Sequence, residues 1–150
     1  IEGVGLNGKM NEVQAAFGLL QLKQIDAALA ARAQIAHRYN EALADVDGLT
    51  LPQGEEPVAY NHAYYPILVG DGYPLNREKL FEKMEAAGVF PRRYFYPLIS
   101  NISAYKHLPS AQQDHLPVAN RVAEQILCLP IYPDLASDDV DRIVDILTGV

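Results

Sequence analysis

The amino-acid sequence predicts an α+β domain in which a small sheet is covered by helices. Several segments repeat apolar residues at three- and four-residue spacing, which is typical of amphipathic helices. Three shorter runs are rich in β-branched and aromatic residues and lie next to Gly or Pro, which is typical of strands. These segments follow one another in the predicted order ααβαβαβα. With 150 residues, of which 49% are hydrophobic, the chain is long enough to bury one core.

Two helices are predicted in the first third of the chain. Asn11 and Gln14 have the spacing of a capping box, so the first helix begins there. The apolar residues of this helix share one face, which consists of Met10, Val13, Phe17 and Leu20. The second helix is predicted over residues 25–46 and stops at Gly48. Its apolar stripe consists of Leu29, Ala36, Tyr39, Leu43 and Val46.

The remaining elements are predicted to alternate between strand and helix. Residues 60–69 read YNHAYYPILV and predict a strand, within which Pro66 indicates an edge position or a bulge because it cannot donate a ladder hydrogen bond. Residues 89–96 and the run LCLPIY at 127–132 are the other predicted strands. Three more helices are predicted: residues 76–87 capped by Asn76, residues 117–125 opened by Pro117, and a last helix capped by Ser137 that buries Val140, Ile143, Val144 and Leu147.

Composition excludes several classes of protein. The net charge of -7 and the pI near 4.9 argue against a nucleic-acid partner, because neutralising phosphates needs a clustered basic face. No run approaches the roughly 18 apolar residues of a membrane span, and no signal peptide is evident, so no membrane partner is predicted. The single cysteine, Cys128, is predicted to be a buried, inert thiol in a cytoplasmic protein. Because the chain opens IEGVGLNGKM, without an initiator Met, we expect it to be a segment of a longer protein.

The residues alone give no complete catalytic site. The sequence has no Cys-x-x-Cys, His-Glu-x-x-His, P-loop or Gly-x-Ser-x-Gly motif, and its four histidines are scattered. His62 falls inside a predicted strand, where an imidazole could face a cleft or satisfy a buried acceptor. No catalytic residue and no metal ligand are therefore predicted in this chain.

Two short segments could bind an anion. The run from Arg92 to Pro97 combines two guanidinium groups with three rings, a set suited to gripping a phosphate and stacking on a base or sugar. An amphipathic strand with one charged face would give the same pattern. The turn from Gly5 to Lys9 offers backbone amides, an amide side chain and a cation near a helix start. Turns of this composition are common, so this second signal is weak by itself.

Three blocks of sequence together carry a resemblance to a known family. They are GLNGKMNEVQAAFGLLQLKQID, GVFPRRYFYPLIS and LPVANRVAEQILCLPIYPDLASDDVDRIVDIL. In this order and spacing they resemble the C-terminal portion of the DegT/DnrJ/StrS family of sugar aminotransferases over nearly the whole chain. The resemblance implies the small C-terminal domain of a type I aminotransferase fold, with a short mixed or antiparallel sheet over residues 47–150. Residues 1–46 would then be helices that connect to a large domain and contribute to a homodimer interface.

The resemblance also implies an activity for the longer protein. It predicts a pyridoxal-phosphate-dependent enzyme that transfers an amino group, with glutamate as the donor, to a nucleotide-linked keto-6-deoxy sugar, dTDP being the expected nucleotide. Such amino sugars serve cell-surface polysaccharides, lipopolysaccharide among them, or natural products. The lysine to which the family attaches its cofactor lies upstream, so this segment alone is expected to be inactive. A sugar dehydratase of the same family and a free-standing dimerisation module are the alternatives.

Individual residues match positions of the family pattern. By resemblance, Asn7 corresponds to the asparagine that reaches the cofactor phosphate in the partner's site, and Lys9 to a neighbouring basic position. On the substrate side, the resemblance points to Arg93, Tyr94 and Tyr96, and His62 completes the predicted substrate-binding set. The family commonly has a histidine where this chain has Ile99, which leaves one usual sugar contact without its residue.

Overall fold

The computed structural model describes residues 8–54 and 59–149, which form five helices and three strands. The helices are α1 (Glu12–Leu22), α2 (Ile25–Leu43), α3 (Arg77–Ala86), α4 (Pro117–Gln125) and α5 (Ser137–Thr148). The strands are β1 (Leu49–Thr50), β2 (Tyr65–Val69) and β3 (Ile126–Leu129). Three short 3₁₀ turns, Ile99–Asn101, Pro109–Ala111 and Gln113–His115, lie between α3 and α4.

The strands form one antiparallel sheet in the order β1-β2-β3, which confirms the predicted α+β class with a short sheet. The edge position predicted from Pro66 is wrong, because β2 is the central strand. Cys128, which stands opposite Pro66, directs both its backbone N–H and its carbonyl toward Arg92 on its other side. Pro66 is therefore a non-hydrogen-bonded partner of β3, and its nitrogen points toward β1. Since β1 already ends opposite Leu68, the missing N–H interrupts no ladder.

The strand predicted over residues 89–96 is also wrong. Only Arg92 joins the sheet, through an isolated bridge in which its N–H and carbonyl bond to Cys128 at 3.0 and 2.7 Å. Pro91 and Pro97, on either side of the bridge, have no N–H to extend a ladder. The chain leaves the sheet after Arg92 and includes two cis peptide bonds, Tyr94–Phe95 and Tyr96–Pro97. This segment is a loop along β3, so its side chains are not held to the alternating faces of a strand.

One apolar core joins the sheet to α2, α3 and α5. The predicted stripes of the helices largely enter it: Tyr39 and Leu43 of α2 and Leu147 of α5 are completely buried. The second helix ends at Leu43 rather than at residue 46, so Val46 packs against the core from the following turn. The core residues that are most completely shielded from solvent are Tyr39, Tyr65, Leu43, Ile67, Leu80, Met84, Leu127, Leu147 and Val140.

Helix caps follow the sequence signals with one exception. Asn11 and Gln14 form the predicted capping box, and Asn76 accepts a hydrogen bond from the backbone N–H of Lys79 at 3.0 Å. Ser137, predicted as a cap, is instead the first residue of α5, and Ala136 precedes it. The Ser137 hydroxyl accepts a hydrogen bond from Arg38, so it links α5 to α2 rather than capping its own helix.

The helix α1 contributes no buried residue to the domain. Its predicted apolar face is exposed, with Phe17 63% and Leu20 58% accessible to solvent. An apolar groove of about 1060 Å³ lies between α1, the first turns of α2 and the segment 133–134. Within residues 8–54 and 59–149, no helix combines the length and apolar character needed to cross a membrane.

Three buried tyrosines connect helices and sheet through their hydroxyl groups. Tyr39 donates to the carbonyl of Pro130 at 3.0 Å, Tyr65 to the side chain of Asn40 at 2.5 Å, and Tyr73 to the carbonyl of Leu147 at 2.6 Å. Burial raises the pKa of each of these phenols, that of Tyr73 to about 12. Each hydroxyl is thereby kept as a hydrogen-bond donor in the folded chain.

The raised pKa of Tyr73 predicts a stability that falls in alkali. The contribution of Tyr73 to the free energy of unfolding is fully present below pH 10, the ordinary pKa of a tyrosine. It is lost as the pH rises through about 12, because the phenol of Tyr73 ionises at a lower pH in the unfolded chain than in the folded one. Urea unfolding of the chain at pH 8 and at pH 11 measures this slope. Tyr73→Phe should be less stable at pH 8 by about 0.5–1.5 kcal/mol, since one hydrogen bond is lost. The variant should also lose less stability than wild type between the two pH values, and an equal loss would contradict the assignment.

Candidate functional site

The segment from Phe90 to Pro97, here called the aromatic loop, borders two cavities. The larger has a volume of about 570 Å³ and is lined by the loop together with Phe81 and Ile99. The smaller, of about 310 Å³, lies between the loop, Tyr64 and the chain that follows β3. The Arg92–Cys128 bridge fixes the loop to the sheet between them. The predicted substrate residues Arg93, Tyr94 and Tyr96 are all brought together in this loop.

Aromatic rings support one side of the loop. The Tyr64 and Tyr94 rings meet edge to face with centroids 5.0 Å apart, and Tyr64 also meets Phe95 at 6.2 Å. Tyr94 and Phe95 lie 5.1 Å apart. Edge-to-face and tilted pairs at these distances are favourable because the positive ring edge faces the negative ring face. Since Tyr64 immediately precedes β2, the rings connect the loop to the central strand.

Arginine 93 is held on the other side of the loop by α3. Its Nη1 lies 2.9 Å from Oε2 of Glu78, and its guanidinium carbon lies 4.1 Å from the centre of the Phe81 ring. The side chain is only partly exposed. The positive charge predicted to meet a substrate therefore already has a carboxylate partner within the domain.

Arginine 77 is a functional-site candidate that sequence reasoning missed. As the first residue of α3 it is only 6% exposed, although a charged side chain at a helix start ordinarily faces water. Its Nη2 lies 3.0 Å from Oε1 of Glu78, its Nε donates to the carbonyl of Glu124 at 3.2 Å, and its guanidinium lies 5.0 Å from the Tyr96 ring centre. Its Nη1 has no partner among the described residues. Glu78 therefore joins two arginines, one beneath Tyr96 and one at Arg93.

Arginine 92 is the exposed guanidinium of the loop. Its backbone is bonded to Cys128, and its side chain lies over the Tyr94 ring at 5.8 Å. It lines both cavities and makes no ion pair within residues 8–54 and 59–149. The available charge of the loop is therefore on Arg92.

The structure does not bring His62 to the aromatic loop. It precedes β2, which begins at Tyr65, so the prediction that His62 lies within a strand is wrong. The residue has a left-handed φ of 46°, and its ring lies 6.3 Å from that of Tyr60. His62 lines neither of the two cavities around the loop.

The predicted phosphate contacts are at the start of the chain. Asn7 lies outside the described residues, whereas Lys9 is exposed, two residues before the N-cap of α1. Helix N-termini favour anions because their first N–H groups have no partner within the helix. The positive charge of a lysine beside such a terminus suits a phosphate.

Ile99, at the position where the resemblance predicts a histidine, is largely exposed and lines the larger cavity.

The remaining candidates for chemistry give no catalytic centre in the described residues. Cys128 is buried, as predicted, and burial raises the pKa of its thiol, although a hydrogen bond with the Tyr94 backbone partly opposes this. A protonated thiol is a poor nucleophile. Within the part of the chain that the structure describes, no group of three or more His, Cys, Asp or Glu side chains could hold a metal ion.

The chain thus forms a small α+β domain with a ring-lined loop that carries an exposed arginine. The chain belongs to the DegT/DnrJ/EryC1/StrS aminotransferase family, which matches residues 1–148. This confirms the family predicted from the three sequence blocks. The family is one of aminotransferases, and one similar solved structure, a putative sugar aminotransferase from Streptococcus pneumoniae, is of its pyridoxal phosphate form.

Two curated relatives and one solved structure illustrate the similarity. The chain is 43% identical to a dTDP-4-amino-4,6-dideoxy-D-glucose transaminase of Escherichia coli over 97% of this chain and 39% of the relative. It is 30% identical to a GDP-perosamine synthase of Caulobacter vibrioides over 98% and 39% of the two chains. A family aminotransferase from Brucella abortus superposes with a TM-score of 0.82 at 31% identity, over 97% of this chain and 37% of that one. The chain thus spans about two fifths of the length of the relatives it matches.

Proposed function

We propose that this chain is the C-terminal part of an aminotransferase that converts a dTDP-linked keto-6-deoxy sugar to an amino sugar, with glutamate as the amino donor. The observation that carries the proposal is the cavity of about 570 Å³ in which rings surround the exposed Arg92. Flat rings and a guanidinium are the chemistry that a nucleoside diphosphate requires, since the rings stack on a base and the cation pairs with phosphate. The dTDP-sugar enzyme of Escherichia coli, at 43% identity, supports the choice of nucleotide.

The cofactor of the proposed enzyme is pyridoxal phosphate. When bound, it supplies the carbonyl that carries the amino group between donor and keto sugar. We propose that Asn7 and Lys9 contact its phosphate in the site of a partner subunit. The lysine that attaches the cofactor belongs to the upstream part of the protein, as the family pattern implies, so this chain alone is inactive.

The substrate side of the proposed site is the aromatic loop. Tyr94 and Tyr96 would offer rings and hydroxyl groups to the sugar or base, and Arg93 would fix the loop against α3 through Glu78. His62, which lines neither cavity of the loop, is left out of this proposed surface. The enzyme would work in the cytoplasm, supplying amino sugars for cell-surface polysaccharide, including lipopolysaccharide, or for natural products.

The exposed face of α1 supports a homodimer. Met10, Val13, Phe17 and Leu20 recur at the spacing of one helix face, and each is more than half exposed. Soluble proteins seldom leave such a surface in water, because covering it removes apolar area from contact with solvent. The same helix would therefore bring two subunits together.

The activity is tested with the complete reading frame that contains this chain. The full-length protein, supplied with pyridoxal phosphate, glutamate and dTDP-4-keto-6-deoxyglucose, should form the amino sugar, measured by mass spectrometry. The isolated 150-residue chain should form none and should not retain the cofactor after borohydride reduction. A full-length protein that eliminates water from the sugar without transferring nitrogen would identify a dehydratase instead.

Substitutions at the two proposed contact regions should separate cofactor binding from substrate binding. In the full-length protein, Asn7→Ala should weaken binding of the cofactor by roughly ten- to a hundredfold, because it removes a hydrogen bond to a charged group. Tyr94→Phe and Arg93→Ala should mainly raise the KM for the nucleotide sugar. Cofactor titration of the apo forms, and sugar kinetics at saturating cofactor, measure the two effects. An Asn7→Ala variant with wild-type cofactor affinity would exclude the phosphate contact.

The dimer predicts a specific effect of charge on α1. Phe17→Asp should shift the full-length protein toward monomer in sedimentation velocity, because the carboxylate would be buried without a partner. Val118→Asp on α4, also at a 63% exposed apolar residue, is the matched control and should leave the dimer intact. A wild-type protein that sediments as a monomer, or an unaffected Phe17→Asp variant, would contradict the interface.

A further inference from the structure

We propose that Arg92 is the residue of the aromatic loop that contacts the diphosphate of the nucleotide sugar, and that Arg93 is a positioning residue that anchors the loop. This inference rests on the proposed function and refines its site. The adjacent arginines are alike in sequence but differ in their surroundings. Those surroundings assign them different roles.

The charge of Arg93 is already used within the domain. Its Nη1 is 2.9 Å from Glu78, its guanidinium lies against Phe81, and its side chain is only 35% exposed. An anion that took Arg93 would have to displace this carboxylate and would leave Glu78 with only Arg77 as a partner. Arg93 therefore fixes the direction of the loop relative to α3.

The charge of Arg92 is available to a ligand. It makes no ion pair in the described chain, and its side chain is exposed where the two cavities meet. Its backbone is nevertheless fixed by both hydrogen bonds to Cys128. Its guanidinium carbon lies 5.8 Å from the centre of the Tyr94 ring, and a guanidinium carries five N–H donors that can bind oxygen atoms. The residue combines a fixed base with an unpaired cation, which suits anion recognition.

The surroundings of Arg92 indicate which anion it would meet. Phe90 and Phe95, its near neighbours in the loop, are each 69% exposed and line the larger cavity with it. A free phosphate would gain nothing from these rings, whereas a nucleoside diphosphate can stack its base while its phosphates reach the guanidinium. The diphosphate of the nucleotide sugar is therefore the group assigned to Arg92.

The test compares charge-matched variants of the full-length protein. Binding of dTDP and of thymidine, which lacks phosphate, is measured by calorimetry for Arg92→Gln, Arg93→Gln and Arg121→Gln. Arg121 is exposed on α4 and lines neither cavity of the loop, so it controls for the loss of one charge. Arg92→Gln should weaken dTDP binding by roughly ten- to a hundredfold and leave thymidine binding unchanged. Arg92→Lys should recover part of the loss, since it restores the charge without the planar fork.

Arg93→Gln should behave differently, because it releases the loop rather than removing a phosphate contact. It should weaken the binding of dTDP and of thymidine by a similar factor, and Glu78→Gln should reproduce that pattern. If Arg93→Gln weakened the binding of dTDP but not of thymidine, while Arg92→Gln bound dTDP as tightly as wild type, the two roles would be reversed. The assignment would also be overturned if the wild-type protein turned over the sugar and Arg92→Gln bound dTDP and thymidine with unchanged relative affinity. A wild-type protein without aminotransferase activity would refute the proposed function itself, which separates the two failures.

Discussion

The pair of hydrogen bonds between Arg92 and Cys128 determines how the site is built. It adds one residue of the aromatic loop to the edge of β3, after which the chain turns away from the sheet. The bridge uses both polar backbone groups of Cys128 on that side, which allows Pro66 to stand opposite Cys128 in the central strand without a lost bond. The same two residues therefore complete the sheet and fix the origin of the loop. From that point, the direction of the loop is decided by its side chains.

Glu78 is the second determinant, since its two carboxylate oxygens each bind a different arginine. One oxygen pairs with Arg77, which lies buried beneath Tyr96, and the other with Arg93, which lies over Phe81. A buried guanidinium without a carboxylate would be costly to desolvate, so Glu78 makes the burial of Arg77 possible. Because this pairing satisfies Arg93, it leaves Arg92 as the unpaired charge of the loop. Differences between neighbouring arginines thus arise from α3, not from the loop sequence.

The sequence was informative where structure depends on near neighbours. The cap at Asn11, the cap at Asn76 and the buried stripes of α2 and α5 follow from residues within one or two helical turns, and the structure confirms them. The strand predicted over residues 89–96 failed because aromatic content cannot show which backbone groups find partners. That outcome depends on Cys128, far away in the chain, and on the flanking prolines. Burial of Arg77 was likewise hidden, since a charge beside a helix cap is ordinarily solvated.

The two apolar surfaces of the domain are separate. The groove along α1 and the larger cavity of the aromatic loop have no lining residue in common. Helix α2 meets the groove and the smaller cavity of the loop. Its first turns line the groove, and its Tyr39 hydroxyl bonds to Pro130, which borders that cavity. Tyr39 is completely buried, so this connection belongs to the rigid core rather than to a mobile surface. The smaller cavity of the aromatic loop is therefore tied to this core through α2, whereas α1, which buries no residue, lies outside it.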